Sequence, residues 1–579
     1  MQSKTKTLLF YIFICLSLFY CKSASADSFI PANPDNKGLS DAKSNALSYS
    51  NPIIPGFNPD PSICRVGKDF YLVTSSFEYF PGVPIYHSTD LVNWEMIGHA
   101  LHRASQLNLD SSECSGGIYA PTIRYNKGTF YMVTTLVGKF GGNFIVTANN
   151  IRGPWSDPHW IKNAPGIDPS LFFDDDDKVY MSGNEKPEIK AWPGQNNIWI
   201  QEIDLNNWQL TGDKKILVNG ADFYNKGTRL DANNPGFLAA IEGAHLYKKD
   251  GMYYPVFSHG GTGHNHAVSI LRGKSISGPF ESNPMNPIIT HRDLSKVYPI
   301  TATGHADLID APNGDWWLVY LGKRPNDGEQ FMLGRETFLS PVDWKGEWPV
   351  VNPNGKPGRS ELIQTLPSLK GVQRDNSTFF DDFKTDSLLP QWTFIRTPHT
   401  EWWSQTERKS FLRIHLRPGM IFEKVNPSFI GKRMAHFNFS ATSKMEFNPA
   451  SENEEAGIMI QRDRFYNLRL TLKNVNGKYL LNVILNNGPA VKESLIASSE
   501  VNSPKLFLKV AGVGLIYSFS YSVNGKDWVV VKDHIDCTAN DFVKGGKWTG
   551  SFVGMYASSN GKPTTSSVDF DWFNYKKQD

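Results

Sequence analysis

Cysteine is scarce in this chain of 579 residues: there are five, at positions 15, 21, 64, 114 and 537. Cys15 and Cys21 fall in an N-terminal apolar segment. The other three, in so long a chain, make no disulfide framework, although a single bond such as Cys64 to Cys114 stays open. Their spacing matches no zinc pattern. Excess charge is missing as well. The formal net charge is +2 and no run of Lys and Arg stands out, which excludes the electrostatic footprint of nucleic-acid binding. Beyond residues 8–20 the chain has no long apolar run, and those thirteen positions are short of the roughly 20 that span a bilayer, so no membrane insertion is expected. Helical periodicity is nearly absent, which leaves strands. Two stretches have the composition of a binding loop without the residues that such a loop needs. Gly260-Gly261-Thr262-Gly263-His264 has no following Lys-Ser/Thr and no helix, so it reads as a rim turn and not a phosphate loop. Residues 174–177 are four acids without the alternating ligand spacing of a calcium loop, and read as a solvated hairpin turn.

The first residues have the form of an export signal: Lys4 and Lys6, the apolar run 8–20, then Ala24-Ser25-Ala26 as a small-residue cleavage site. Residues 1–26 are therefore expected to be removed and the remainder to act in the periplasm or outside the cell. Lipid attachment at Cys21 is the alternative, and bulky Phe19 and Tyr20 just before it argue against it. Residues 27–50 are polar without a sustained period and read as a flexible leader.

What the chain does have is a repeat. The run Asp69-Phe70-Tyr71-Leu72-Val73 returns as Thr129-Phe130-Tyr131-Met132-Val133, Lys178-Val179-Tyr180-Met181, Met252-Tyr253-Tyr254-Pro255-Val256 and Asp315-Trp316-Trp317-Leu318-Val319. Five copies roughly 50 to 75 residues apart lie near the blade periods of propellers. Further turn motifs, Ser88-Thr89-Asp90-Leu91-Val92-Asn93-Trp94, Ile151-Arg152-Gly153-Pro154-Trp155 and Gly278-Pro279-Phe280, suit outer-strand turns. Residues 51–359 are thus read as a five-bladed β-propeller, 360–377 as a polar linker, and 378–579 as a β-sandwich. In the last segment Asn476-Gly477 and Asn524-Gly525 mark hairpins between alternating strands. The chain is too long for a single core, which agrees with two all-β domains.

About eleven residues before each aromatic run stand Asp60, Tyr119, Asp168, Glu242 and His305. Equivalent positions in five blades face one axis, so three carboxylates, a phenol and an imidazole are expected around one central pocket. Burying several carboxylates together is costly unless charge is what the site needs. Cleaving a glycosidic bond requires one carboxylic acid to protonate the departing oxygen and one carboxylate to activate water or attack carbon. A third charged acid nearby raises the pKa of the proton donor.

The motifs Asn58-Pro59-Asp60-Pro61-Ser62, Gly117-Ile118-Tyr119-Ala120-Pro121, Gly166-Ile167-Asp168-Pro169-Ser170, Glu242-Gly243-Ala244-His245, Thr303-Gly304-His305-Ala306 and Leu333-Gly334-Arg335-Glu336-Thr337 resemble glycoside hydrolase family 43, in particular its β-xylosidase-like members. The resemblance covers both domains and implies a five-bladed propeller, a concanavalin-like sandwich, and exo-acting hydrolysis with inversion, releasing xylose or arabinose. It implies Asp60 as general base, Glu242 as general acid and Asp168 as pKa modulator, with His305 and Arg335 contacting the innermost sugar. Phe77, Tyr119 and Trp548 are then the expected pocket walls. Many such members have Trp where Tyr119 stands, which bears on substrate preference. No cofactor is required by this chemistry, although some members hold calcium on the propeller axis, which here would be near His305. A retaining, invertase-like propeller is disfavoured, because Cys-Pro follows the acid there and Gly243-Ala244 follows Glu242. A sugar-binding propeller without catalysis would have little reason to keep three acids at one repeat position. The expected partner is an oligosaccharide.

Overall fold

The computed structural model of the chain describes residues 48–139, 141–225, 239–326, 328–365, 375–489, 493–538 and 547–579. Residues 1–26, expected to be an export signal, and nearly all of the expected leader lie outside the described residues.

Every aromatic run of the repeat forms a strand: Asp69–Val73, Thr129–Val137, Val179–Glu185, Met252–His259 and Trp316–Lys323. Each is the second strand of its own antiparallel sheet. The first strands are Ser62–Val66, Thr122–Asn126, Ser170–Phe173, Glu242–Lys249 and Thr301–Asp310. The third strands are Gly82–Ser88, Gly142–Ala148, Asn197–Asp204, Ala267–Gly273 and Glu336–Asp343. The three turn motifs of the sequence fall where a third strand hands over to a fourth. Alternation explains the burial: Phe70 and Leu72 of the first blade are fully buried while Asp69 and Tyr71, which alternate with them, are only partly covered. Each first strand neighbours the next, and the last neighbours the first, which closes a five-bladed β-propeller.

A buried polar cluster ties the innermost strands together at the axis. One oxygen of Asp307 accepts Ser62 Oγ–H at 2.7 Å, the Ile63 N–H at 3.1 Å and Arg124 Nη1 at 2.8 Å. The other accepts Arg124 Nη2 at 3.2 Å and the Tyr247 hydroxyl. Arg124 Nη2 also meets His245 Nδ1 at 3.0 Å, and the same ring nitrogen lies 3.3 Å from Ser170 Oγ, so all five blades contribute. Burial pushes the Asp307 carboxyl up, but Arg124, His245 and the hydrogen bonds outweigh it and hold the group well below the usual carboxylate range.

Two expectations need correction. Asp174, in the acidic turn, is not simply solvated: it accepts Lys248 Nζ at 2.6 Å and Tyr253 Oη at 2.7 Å and stitches the third blade to the fourth. The end of the leader and the start of the linker are also not free coil. Ser48–Ser50 pairs antiparallel with Ile363–Thr365, Ile54 bridges Thr337, and the Asn58 N–H donates to Arg335 O at 2.9 Å, which laces the chain start onto the fifth blade. Strands of three residues carry too little alternation to be read in advance.

The C-terminal half forms two eight-stranded antiparallel sheets face to face, with inward alternation as in Phe439–Glu446. Asn476-Gly477 makes the predicted hairpin between Tyr466–Val475 and Lys478–Asn487. One edge strand of this sandwich, Tyr79–Phe80, comes from the first propeller blade and pairs with Thr393–Ile395. A core cluster of Phe57, Phe77, Tyr79, Phe429, Phe552 and Tyr556 spans the two halves. Cys64, Cys114 and Cys537 are unbonded thiols. Among the described residues, no helix is long and apolar enough to cross a membrane.

Candidate active site

Asp60, Asp168 and Glu242 stand at or just before the start of the innermost strands of the first, third and fourth blades, Tyr119 precedes that of the second, and His305 lies within that of the fifth. They line one cavity of about 200 Å³, and Phe77, Arg335 and Trp548 line it too. All eight residues singled out in the sequence are thus brought together. Several hold the backbone in the left-handed region: φ is 54° at Asp60, 55° at Asp168, 48° at His305 and 49° at Phe77. Such strain persists only where surrounding packing imposes it, and it turns these side chains off the strand path into the cavity. Next to Glu242, Gly243 has φ of 60°, and a Cβ there would lie 2.8 Å from the His305 ring. Only glycine lets the acid and the imidazole sit side by side.

The three carboxylates are treated differently. Asp60 is 4% exposed and clamped through both oxygens, by Arg335 Nη1 at 2.7 Å and by Ser75 Oγ at 2.7 Å. His305 Nδ1 lies 3.7 Å from the first of these oxygens. Asp168 and Glu242 have no hydrogen-bond partner among the described residues, so their oxygens are free for a bound molecule. Arg335 also reaches Thr262 Oγ1 at 3.3 Å and lies 5.3 Å from the centre of the Phe77 ring. Thr262 and Gly261 line the cavity, so the Gly-rich stretch is the rim turn that the sequence suggested.

Phe77, Tyr119 and Trp548 form the aromatic wall. Ring centres are 5.1 Å apart for Phe77 and Tyr119, and 5.8 Å for Tyr119 and Trp548, the latter pair edge to face. Trp548 belongs to the sandwich, and its loop is held in place from the propeller. Its carbonyl accepts Arg335 Nε at 3.2 Å and its N–H donates to Ser115 Oγ at 3.2 Å. Ser115 is a hub: its carbonyl accepts the Tyr119 hydroxyl at 3.0 Å, and its N–H donates to Glu78 Oε2 at 2.9 Å.

Known proteins fit this arrangement over both halves. Residues 49–349 match the pattern of glycosyl hydrolases family 43, and residues 380–576 match the beta xylosidase C-terminal concanavalin A-like domain. The chain belongs to glycosyl hydrolases family 43. It is 41% identical over 533 residues to a xylosidase/arabinosidase of Butyrivibrio fibrisolvens, covering 90% of this chain and 98% of that protein. It is 38% identical to a non-reducing end alpha-L-arabinofuranosidase of Bacteroides ovatus, covering 91% and 95%. The crystal structure of a xylan beta-1,4-xylosidase from Bacillus halodurans superposes with a TM-score of 0.83 at 34% identity, covering 91% of this chain and all of that one.

For a family 43 glycosidase the electrostatics of the pocket fall into two parts. Burial, then the charge of Asp60, pushes the Glu242 carboxyl up to about 7, against the opposing pull of Arg335. Burial raises Asp168 as well, helped by Glu242 and Asp60. Two free, buried acids in one cavity do not both ionise readily, so the pair holds a proton near neutral pH. His305 is lowered, first by burial and then by Arg335, against the pull of Asp60, and stays uncharged. The pocket therefore offers a fixed cation at Arg335 against Asp60, and a proton held by Glu242 and Asp168.

Calcium takes six to eight oxygen ligands. Near His305, Asp60 is already held by Arg335 and Ser75, and Asp307 is bonded by Ser62, Ile63, Arg124 and Tyr247. Among the described residues around His305 this leaves the oxygens of Asp168 and Glu242, which fall short of the set that a directly liganded calcium takes.

Sequence reasoning missed Ser75, Ser115 and Glu78. Only Glu78 carried a signal: an acid inside the run Phe77-Glu78-Tyr79-Phe80 is out of place unless it is bonded. It is 3% exposed, and burial pushes its carboxyl up to about 8.

Proposed function

We propose that this enzyme removes single xylose or arabinose units from the non-reducing ends of hemicellulose fragments with inversion at the anomeric carbon. The observation that carries the reading is the cavity itself. At about 200 Å³, walled by Phe77, Tyr119 and Trp548, it suits one sugar residue and not a chain threading through.

In this reading Glu242, kept protonated by burial and by Asp60, gives its proton to the leaving oxygen. Asp60, its oxygens oriented by Arg335 and Ser75, takes a proton from the water that attacks the opposite face. Asp168, its own carboxyl raised by burial and by Glu242 and Asp60, orients the sugar and does not itself raise Glu242, the modulating charge being that of Asp60. Inversion calls for roughly 6.5–9.5 Å between the Asp60 and Glu242 carboxyls, so that a water fits between them. Arg335 and His305 grip hydroxyls of the sugar in the cavity.

A preference for α-L-arabinofuranosides is the second reading. Tyr119 favours it, since the smaller phenol alters the wall against which a flat pyranose would stack. Side-by-side rates on an aryl β-xyloside and an aryl α-arabinofuranoside decide between the two, and proton NMR of the first-formed anomer tests inversion. Equal inertness on both substrates, or a retained anomer, sinks the proposal. Export is proposed on the basis of Lys4, Lys6 and the apolar run 8–20, and processing at the small-residue site is checked by N-terminal sequencing of the mature protein.

A further inference from the structure

The strand that carries the fifth aromatic run, Trp316–Lys323, ends on a lysine that the proposed reaction does not use. Two residues of the pocket rim flank it. On one side Lys323 pairs with Thr301, whose hydroxyl lies 3.3 Å from His264 Nδ1 in the rim turn that carries Thr262. On the other side Gly322 pairs with Glu336, which sets Lys323 across from Arg335. Residues opposite one another in an antiparallel pair send their side chains to the same face. The neighbours agree with this. Arg324, next in the chain, turns to the other face and donates to Glu336 at 2.7 Å, while Lys323 shares its face with Arg335, which lines the cavity.

Lys323 lacks an acceptor. Among the described residues no carboxylate or carbonyl oxygen pairs with its ammonium, and the contact that it makes is with the Phe331 ring, whose centre is 5.0 Å from Nζ. The charges around it are mostly of its own sign. Burial, then Arg335 and Arg462, pulls the ammonium down to about 7, against the weaker attraction of Asp60. Asp60 has no oxygen to spare, since Arg335 and Ser75 hold both. The carbonyls of Phe331, Met332 and Thr549 are taken by Arg462. Yet the lysine is not shut in: the side chain is only partly buried, and Nζ is not one of the sealed polar atoms of the interior, so a molecule from solution can reach it.

What this nitrogen is short of is negative charge. A hydroxyl group would accept one N–H bond and leave the repulsion from Arg335 and Arg462 in place, whereas a carboxylate accepts the bond and offsets the repulsion as well. In the proposed function the molecule at the site is a sugar, and a sugar that carries a carboxylate is a uronic acid. The cavity takes one unit. A group that meets Lys323 on the rim therefore belongs to the part of the substrate that stays outside, which is the leaving side.

We propose that Lys323 is a specificity-determining residue that receives the carboxylate of a uronic acid carried on the leaving part of the substrate. The inference rests on the proposed function for the sugar in the cavity and goes beyond it for what lies outside.

The test uses aryl glycosides of xylose and of arabinofuranose in pairs, a carboxyphenyl glycoside and its methyl ester, with the carboxyl at ring position 3 or 4. The quantity read is kcat/KM for the acid divided by that for the ester, on the sugar that the enzyme cleaves faster. Compared between proteins, this ratio cancels leaving-group acidity and any general loss of activity. At low ionic strength it should fall by about fivefold or more in Lys323→Met and stay within about twofold of wild type in Lys323→Arg. In the wild-type enzyme alone it should fall as sodium chloride is raised to about 0.5 M. Removing an unpaired cation strands no other charge, so Lys323→Met should unfold no lower in temperature than wild type. Lys323→Gln carries the test if the Met variant does not fold. A ratio that these neutral variants leave unchanged, with the carboxyl at either position, overturns the proposal, and so does a wild-type ratio indifferent to salt. Failure of the proposed function looks different: the wild-type enzyme would leave the uncharged esters of both sugars uncleaved, and the present inference would fall with it.

Discussion

Asp60 and Glu242 have the same functional group and opposite surroundings. Asp60 has both oxygens engaged by Arg335 and Ser75, whereas Glu242 faces the cavity unbonded and is pushed up to about 7. Replacing Asp60 with Asn keeps the shape and removes the base, and kcat on an aryl glycoside should fall by about 10²–10⁴-fold with KM little changed. Glu242 must be protonated to act, so kcat/KM should decline as pH rises through about 7. In Glu242→Gln that alkaline limb should vanish, and the residual rate should depend steeply on leaving-group acidity. The same shift has a stability counterpart. A carboxyl whose pKa is raised on folding stabilises the fold below its unfolded value, near 4.5, and loses that contribution as pH climbs to about 7. Thermal unfolding of Glu242→Gln against wild type should therefore show the variant gaining relative stability between pH 5 and pH 8. Glu78 acts at one remove, through Ser115, on both Tyr119 and Trp548. Glu78→Ala leaves the Ser115 N–H unpaired at a cost of about 1–3 kcal/mol and frees the aromatic wall. The expected signature is a rise in KM larger than the fall in kcat, with Glu78→Gln restoring much of both.

At the scale of the strand and the blade, the first strands do double duty. Their starts present the site residues and their middles meet at the axis, where Asp307, Arg124, Tyr247, His245, Ser62 and Ser170 interlock. Removing the charge of Asp307 strands a buried guanidinium, so Asp307→Asn should cost about 3–5 kcal/mol of unfolding free energy in chemical denaturation. Because the Asp307 carboxyl is depressed by its partners, the stability it confers is present above its unfolded pKa and is lost as pH falls below it. This cluster was not legible in the sequence. Arg124 and Asp307 stand 183 positions apart, and nothing local distinguishes either from a surface charge. The repeat itself was legible, because each blade must bury an aromatic strand on both faces, and that requirement is written locally five times over.

The whole molecule is one functional unit built from two folds. The sandwich supplies Trp548 to the pocket, borrows Tyr79–Phe80 from the first blade as an edge strand, and shares an aromatic core with the propeller. A close approach makes this join work: a Cβ on Gly334 would lie 2.7 Å from the Gly550 nitrogen. Cutting the chain after residue 359 would expose that core and open the pocket mouth. The propeller alone should then aggregate on size-exclusion chromatography and show no measurable turnover. A soluble, fully active propeller would overturn the view that the second fold completes the site.

Local patterning alone determined the class and the constellation. Aromatic runs, turn residues and acids at one repeat position could be read because secondary structure, turns and repeat register depend on neighbours in sequence. Only the tertiary structure decided which carboxylate is clamped and which is free, and that Ser115 and Glu78 hold the aromatic wall. Those depend on side chains hundreds of positions apart meeting in a dry interior, where a few ångströms separate a satisfied polar group from an orphaned one.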